Sequence, residues 1–289
     1  MTIYNLGSIN VDHVYRLAHL PGPGETLAAS EYAAGLGGKG ANQSVAAALA
    51  GARVVHLGAV GPGAESVLAD MKARGVETGH VAQVPAATGH AVVLVDAAGE
   101  NSIVIHPGAN VMQSPAGIAA SLEAARPGDI LLLQNETSHQ QEAAELARQR
   151  DLRVIYSAAP FDLAAVRAVL PLVSVLIVNA VEAAQLEAAL GLSIDALPVP
   201  VVVVTRGPDG AEWRARGAPP LVVPAFPADP VDTTGAGDCF AGNLAAALDA
   251  GLGAPEAMRR AAAAAAIQVT RHGASSAMPS RAEVLALLG

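Results

Sequence analysis

Val175-Leu176-Ile177-Val178-Asn179-Ala180-Val181-Glu182 opens on an unbroken apolar run. It passes within a few residues into Ala183-Ala184-Gln185-Leu186-Glu187-Ala188-Ala189-Leu190, and Val201-Val202-Val203-Val204-Thr205 follows. The order is strand, helix, strand, and an apolar run with no polar alternation suits a strand covered on both faces. The same alternation extends outward. Strands are predicted at Ile3–Leu6, Val54–Leu57, Ile130–Leu133, Val154–Ser157, Val175–Val178 and Val201–Thr205. Helices are predicted at Ala41–Ala50, Glu65–Arg74, Pro115–Ala125, Gln140–Arg150, Leu163–Leu170, Glu182–Leu190, Ala236–Ala250 and Pro255–Thr270. This is the pattern of an α/β domain on a largely parallel sheet. Two segments interrupt it: Val11–Tyr32, with Pro21-Gly22-Pro23-Gly24, and Ala91–Ile105, where Asp96–Glu100 reads as a hairpin turn. They predict a small separate β-sheet, suited to act as a lid.

Composition narrows the function. A chain of 289 residues that is 52% hydrophobic can bury one large core. A net charge of −9 argues against nucleic-acid binding, which depends on Lys and Arg neutralising phosphates. The single cysteine, Cys239, cannot form an intramolecular disulfide and reads as core packing. The N-terminal residues lack the pattern of a signal peptide and no apolar run is long enough to span a bilayer, so a cytoplasmic location is expected. The eight histidines show no metal-ligand spacing. Only two lysines are present, so Lys39 within a glycine-rich segment stands out.

Asp232-Thr233-Thr234-Gly235-Ala236-Gly237-Asp238 runs into an apolar helical pattern beginning Cys239-Phe240. Small residues at a helix start leave free N–H groups and the positive end of the helix dipole for an anion. An acid there could take a proton from an attacking hydroxyl while the amides hold a phosphoryl group. By itself the segment is equally a helix start favoured by an acidic residue. A second segment, Gly35-Leu36-Gly37-Gly38-Lys39-Gly40-Ala41-Asn42-Gln43, is neither a P-loop nor a dinucleotide fingerprint, since Gly40 follows the lysine. Its amides and lysine suit a polyhydroxy ligand, and a tight turn before a helix is the plainer alternative.

Taken in order, these motifs resemble the ribokinase family, also called the phosphofructokinase B family of carbohydrate kinases. The resemblance covers nearly the whole chain: Gly7–Asp12, Pro23–Thr26, Gly37–Gln43, His106–Asn110, Leu133–Glu136, Asn179–Glu182, Thr205–Gly210 and Asp232–Asp238. It implies a three-layer ribokinase-like sandwich with a lid formed by about residues 11–36 and 89–107. It implies ATP-dependent phosphorylation of a sugar hydroxyl, with ribose as the expected substrate. Asn10, Asp12, Gly38, Lys39, Asn42 and Glu136 would contact the sugar and Asp238 would be the base. Gly235, Ala236 and Gly237 would form the anion hole. Asn179 together with Thr205, Arg206, Gly207, Pro208, Asp209 and Gly210 would serve the nucleotide. Glu182 would organise Mg²⁺ through water, and Asp232, Thr234 and Gly273 would hold an activating K⁺. A homodimer through the lid sheet is expected from the same resemblance.

The chain also departs from the family pattern. Ser157-Ala158-Ala159-Pro160 stands where an Asn-Pro-Ala-Pro is common, and Val181 replaces a usual threonine. Pro62-Gly63-Ala64 replaces acidic residues, and Ala277 stands where a serine often lies in the cation site. A nucleoside, fructose or sugar-acid kinase, or a catalytically idle sugar- or nucleotide-binding sensor, remain the alternatives. A nicotinamide enzyme is excluded because no glycine fingerprint follows Ile3–Leu6.

Overall fold

The computed structural model describes all 289 residues. In chain order the strands are β1 (Thr2–Leu6), β2 (Asn10–Arg16), β3 (Glu31–Gly37), β4 (Arg53–Val60), β5 (Val76–Gln83), β6 (Gly89–Val95), β7 (Asn101–His106), β8 (Ile130–Gln134), β9 (Arg153–Ser157), β10 (Val175–Asn179), β11 (Val201–Thr205), β12 (Ala211–Ala215) and β13 (Leu221–Val223). The helices are α1 (Lys39–Leu49), α2 (Glu65–Ala73), α3 (Pro115–Ser121), α4 (Gln140–Gln149), α5 (Leu163–Val169), α6 (Ala180–Leu190), α7 (Ala236–Asp249), α8 (Ala254–Gln268) and α9 (Arg281–Leu288).

Nine strands form one sheet in the order β13-β12-β11-β10-β9-β8-β1-β4-β5, parallel throughout except for the β11–β12 and β12–β13 pairings at one edge. Alternate residues of each strand serve opposite layers. Ile130 and Leu132 join the core under α1, α7 and α8, while Leu131 and Leu133 join the core under α4, α5 and α6. This explains the unalternating apolar runs: every position along the strand is inside. From β1 the chain proceeds outward through β4 to β5 and then returns to lay down β8 on the other side of β1. Ligands gather in the crevice beyond the strand ends at such a reversal. Ser8, following β1, and Glu136, following β8, meet there, with Ser8 Oγ donating to Glu136 Oε2 at 2.5 Å.

The second sheet has the order β3-β2-β6-β7 and is built from the two segments that broke the alternation. Its central pair, β2 and β6, is parallel; the outer pairs are antiparallel. The sequence reading missed β5, whose Val76-Glu77-Thr78-Gly79-His80 mixes polar and glycine residues as an edge strand does, and the short α9 at the C-terminus. Helix α6 starts at Ala180, two residues before the predicted Glu182, because Asn179 and Glu182 form a reciprocal capping box.

Helices α1 and α7 cross closely. A Cβ on Gly242 would lie 2.5 Å from Gln43 O and 3.0 Å from Ala47 N, and one on Gly40 would lie 2.3 Å from Gly7 Cα and Ser8 N. Both obstacles are backbone and cannot swing aside. Gly242→Ala is expected to destabilise the fold by about 1–3 kcal/mol through overpacking, measured by denaturant unfolding; unchanged stability would mean the helices can separate freely.

Candidate active site

Helix α7 is preceded by its N-cap Gly235, which has φ +80° and whose Cβ, if present, would lie 2.9 Å from Ala274 Cβ. Both constraints call for glycine here. The next residues, Ala236 and Gly237, line a cleft of about 500 Å³, and no atom lies within 4 Å of a Cβ built on Gly237. Thr205, Gly207, Pro208 and Gly210 line the cleft from the β11–β12 connection, Phe226 from the segment after β13, Phe240 from α7 and Val269 from just past α8. Its lining is mainly apolar, with Thr205 and Thr233 as polar exceptions. Of the residues expected to serve the nucleotide, Arg206 turns aside to pair with Glu212 at 2.9 Å, and neither it nor Asp209 lines the cleft. The connection carrying them is a single turn of 3₁₀ helix, Gly207–Asp209, within the hairpin.

Asp238 lies in the first turn of α7 and is buried. Its two carboxylate oxygens are held by neighbouring amides of α1: Asn42 Nδ2 donates to Oδ2 at 3.1 Å and Gln43 Nε2 to Oδ1 at 2.9 Å. Asn42 Oδ1 is left without a donor. The Gln43 amide, expected with Asn42 to suit a polyhydroxy ligand, is instead fully buried against Asp238, a placement that exists only once α7 packs against α1. Behind it runs a chain of uncharged groups. Gln134 Nε2 donates to Gln43 Oε1 at 2.7 Å and to Asn5 Oδ1 at 3.0 Å, and Asn5 Nδ2 donates to Ser44 Oγ at 2.8 Å. Ser44 Oγ meets His56 Nδ1 at 2.8 Å, and His56 Nε2 meets Gly7 O at 3.1 Å. A carbonyl can only accept, so His56 carries its proton on Nε2 and accepts from Ser44 through Nδ1. Burial lowers His56 to about 4, which keeps it neutral in this chain.

Of the remaining expected site residues, Asp12, Lys39, Glu136 and Glu182 are near enough to one another or to Asp238 to couple electrostatically. Lys39 N donates to Glu136 Oε2 at 3.0 Å. The Lys39 ammonium is held above its ordinary pKa by the Asp238 carboxylate, with Glu136 and Glu182 adding to the effect against the opposing burial. Burial raises Glu182, while the Asn179 N–H and the Lys39 charge oppose that rise. Glu182 and Asn179 are otherwise occupied with each other, at 2.8 Å in both directions. Asn10 Oδ1 accepts from Asn110 Nδ2 at 2.7 Å, which turns the Asn10 amide nitrogen away from Asn110. Gly38 has φ +90°, and the Asp12 carboxylate lies directly over the α-carbon of Gly37. Asp232 is opposed by burial yet held below its ordinary pKa by N–H donors from Gly273 and Thr234. Among the departures, Ser157 is buried at the end of β9, and the Tyr156 hydroxyl donates to Asn135 just before Glu136.

A family model described as pfkB family carbohydrate kinase matches residues 2–281. The chain belongs to the pfkB family of carbohydrate kinases. It is 35% identical to a ribokinase of Haemophilus influenzae, with 99% of this chain and 98% of that protein covered. A ribokinase structure from Thermotoga maritima superposes with a TM-score of 0.90 at 33% identity, covering 100% of this chain and 99% of the other. An Arabidopsis thaliana ribokinase complexed with ribose and ATP superposes with a TM-score of 0.85 at 30% identity, covering 99% and 98%. The pfkB kinase fold thus accounts for the whole chain, including the four-stranded sheet.

Burial, reinforced by the Glu136 charge, raises Asp12 to about 6. An acid raised in the folded state contributes stability that is complete below its unfolded value and is lost as pH climbs through the folded one. Ligand-free Asp12→Asn is therefore expected to melt above the wild type near neutral pH, with the difference closing toward about pH 4. Identical melting curves across that range would place Asp12 in an ordinary aqueous setting.

Proposed function

We propose that this protein transfers the γ-phosphate of ATP to the primary hydroxyl of D-ribose, with Asp238 as the base. The observation that carries the proposal is the position of the Asp238 carboxylate. It lies in the first turn of a helix whose tip lines an apolar cleft, and Lys39, Glu136 and Glu182 are near enough to couple with it or with one another. The relatives whose names specify ribose support the choice of sugar.

Ribose binds between Asn10 and Asp12 of the small sheet and Gly38, Lys39, Asn42 and Glu136 of the large domain. Ionised Asp12 accepts from a sugar hydroxyl. The adenine base lies in the apolar cleft by Phe226, Phe240 and Val269, which directs the phosphates at Gly235, Ala236 and Gly237. Asp238 accepts the proton of the attacking hydroxyl, and the amides of the α7 tip together with Lys39 hold the charge on the migrating phosphoryl group. No group of three or more His, Cys, Asp or Glu side chains could cage a metal directly. Glu182, half-buried and raised in pKa, fits magnesium held through water, as that ion retains much of its hydration. Bound there, magnesium would neutralise phosphate charge.

The four-stranded sheet acts as a lid, since Asn10 and Asp12 lie on its strand β2 and the exclusion of water favours transfer to the sugar. Exposed Tyr32, Ile103, Val104 and Ile105 leave this sheet with apolar surface that a second copy would cover.

In a coupled ATP-consumption assay across ribose, deoxyribose, fructose, adenosine, pseudouridine and 2-keto-3-deoxygluconate, ribose is expected to give the highest kcat/KM. Turnover on none of them, accompanied by tight binding of one, would replace the kinase with a sensor. Asp238→Asn should lower kcat by roughly 10²–10⁴-fold while sugar and ATP still bind; wild-type turnover would remove Asp238 from the chemistry. Gln43→Met, which deprives Asp238 Oδ1 of its amide, is expected to lower kcat roughly 10-fold with a smaller change in sugar KM. A change confined to KM would make Gln43 a binding residue instead.

A further inference from the structure

Asp232, Thr234 and Gly273 are the positions where the family resemblance implies a monovalent cation. Here the Asp232 carboxylate and the carbonyls of Thr234 and Gly273 already accept N–H donors of the chain. Asp232 Oδ1 accepts from Thr234 N and Oδ2 from Gly273 N, both at 2.9 Å. The Thr234 carbonyl accepts from Gln268 Nε2 at 2.6 Å, and the Gly273 carbonyl accepts from the same nitrogen at 3.1 Å. An amide nitrogen has two protons, and both are used.

Gln268 is the last residue of α8 and is fully buried, so its side chain is held in place by its surroundings. Ala277 adds no side-chain oxygen. A cation needs several oxygens whose lone pairs converge on it. Between these two carbonyls there is instead a nitrogen bearing partly positive hydrogens, and the expected ion does not fit beside it.

We propose that Gln268 takes the place of the monovalent cation, acting as a positioning residue that clamps the turn before α7 to the loop after α8 and makes turnover independent of K⁺. This rests on reading the Gly235–Gly237 turn as the phosphate site. Two hydrogen bonds to fixed carbonyls perform the work that an ion would otherwise do, drawing Thr234 and Gly273 together so that the Gly235 turn keeps its shape. The amide orientation follows from its neighbours. Turned over, it would point Oε1, which has no donor in the observed orientation, at two carbonyl oxygens. That arrangement would need a bridging cation or water between the oxygens.

The test compares sugar-dependent turnover and thermal melting of the full chain in K⁺, Na⁺ and tetramethylammonium buffers of equal ionic strength. The wild type is expected to turn over equally in all three and to melt at the same temperature. Gln268→Ala opens a space between the carbonyls. It is expected to lose roughly 10-fold in kcat in tetramethylammonium through two missing hydrogen bonds, with K⁺ restoring part of the rate and raising the melting temperature. If that variant does not fold, Gln268→Met keeps the length without the donors and is expected to lose rate in every buffer. Saturable stimulation of the wild type by K⁺, or a K⁺-dependent rise in its melting temperature, would overturn the proposal and indicate the turned-over amide as an ion ligand. Wild-type-like kcat in both variants would also overturn it. Absence of wild-type turnover in any buffer, with melting that does not respond to K⁺, would count against the kinase reading while leaving the clamp standing.

Discussion

The close crossing of α1 and α7 is the constraint from which the site follows. A carboxylate in the first turn of one helix can be held by side-chain amides from the other only if the two backbones nearly touch. Gly242 permits that contact, because any side chain there would strike the carbonyl of Gln43. Gly40 extends the same contact to the end of β1, against Gly7 and Ser8. Asn42 and Gln43 thus reach Asp238 from the other end of the chain, and the rigid sheet beneath both helices fixes the distance. Binding groups placed this way gain from scaffold rigidity, since little further ordering is needed when a ligand arrives.

Charge is distributed unequally around this contact. Asp12, Glu136, Glu182 and Asp238 lie on the open side with Lys39 as the cation among them, and burial drives Asp12 and Glu182 toward their protonated forms. Such a site favours whatever brings hydroxyl donors or positive charge. On the closed side the groups are amides, a hydroxyl and a neutral imidazole, each committed to a specific hydrogen bond. A buried polar network of this kind is tolerable because nearly every member is satisfied, and it gives Asp238 a single orientation.

Much of this was legible in the sequence. Apolar runs without alternation predicted strands covered on both sides, and the two interruptions became the four-stranded sheet. The glycine-rich segments read as helix starts do open α1 and α7, with Gly38 and Gly235 at positive φ just before them. What escaped were features that exist only after packing. β5 is an edge strand whose polar residues mimic a loop, and the capping box moved the start of α6 by two residues. Gln268 looks like an ordinary polar residue on an alanine-rich helix, and the motif around Gln43 pointed its amide at a ligand rather than at a carboxylate of the chain. Their roles come from carbonyls and carboxylates more than thirty residues away in the chain. Arg206 showed the reverse: placed in a matched motif, it was expected at the nucleotide, but Glu212 two strand positions beyond the turn claims it.

The uncharged chain behind Asp238 has a consequence for proton traffic. Amides donate and accept without exchanging protons readily, and the one group in the chain able to ionise, His56, stays neutral above about pH 4. No conduit therefore leads from the carboxylate through the interior to bulk solvent. If Asp238 is the base, a hydrogen ion it captures would have to depart by the front door, through the open crevice, and the carboxylate would be reset only when that crevice empties or admits water.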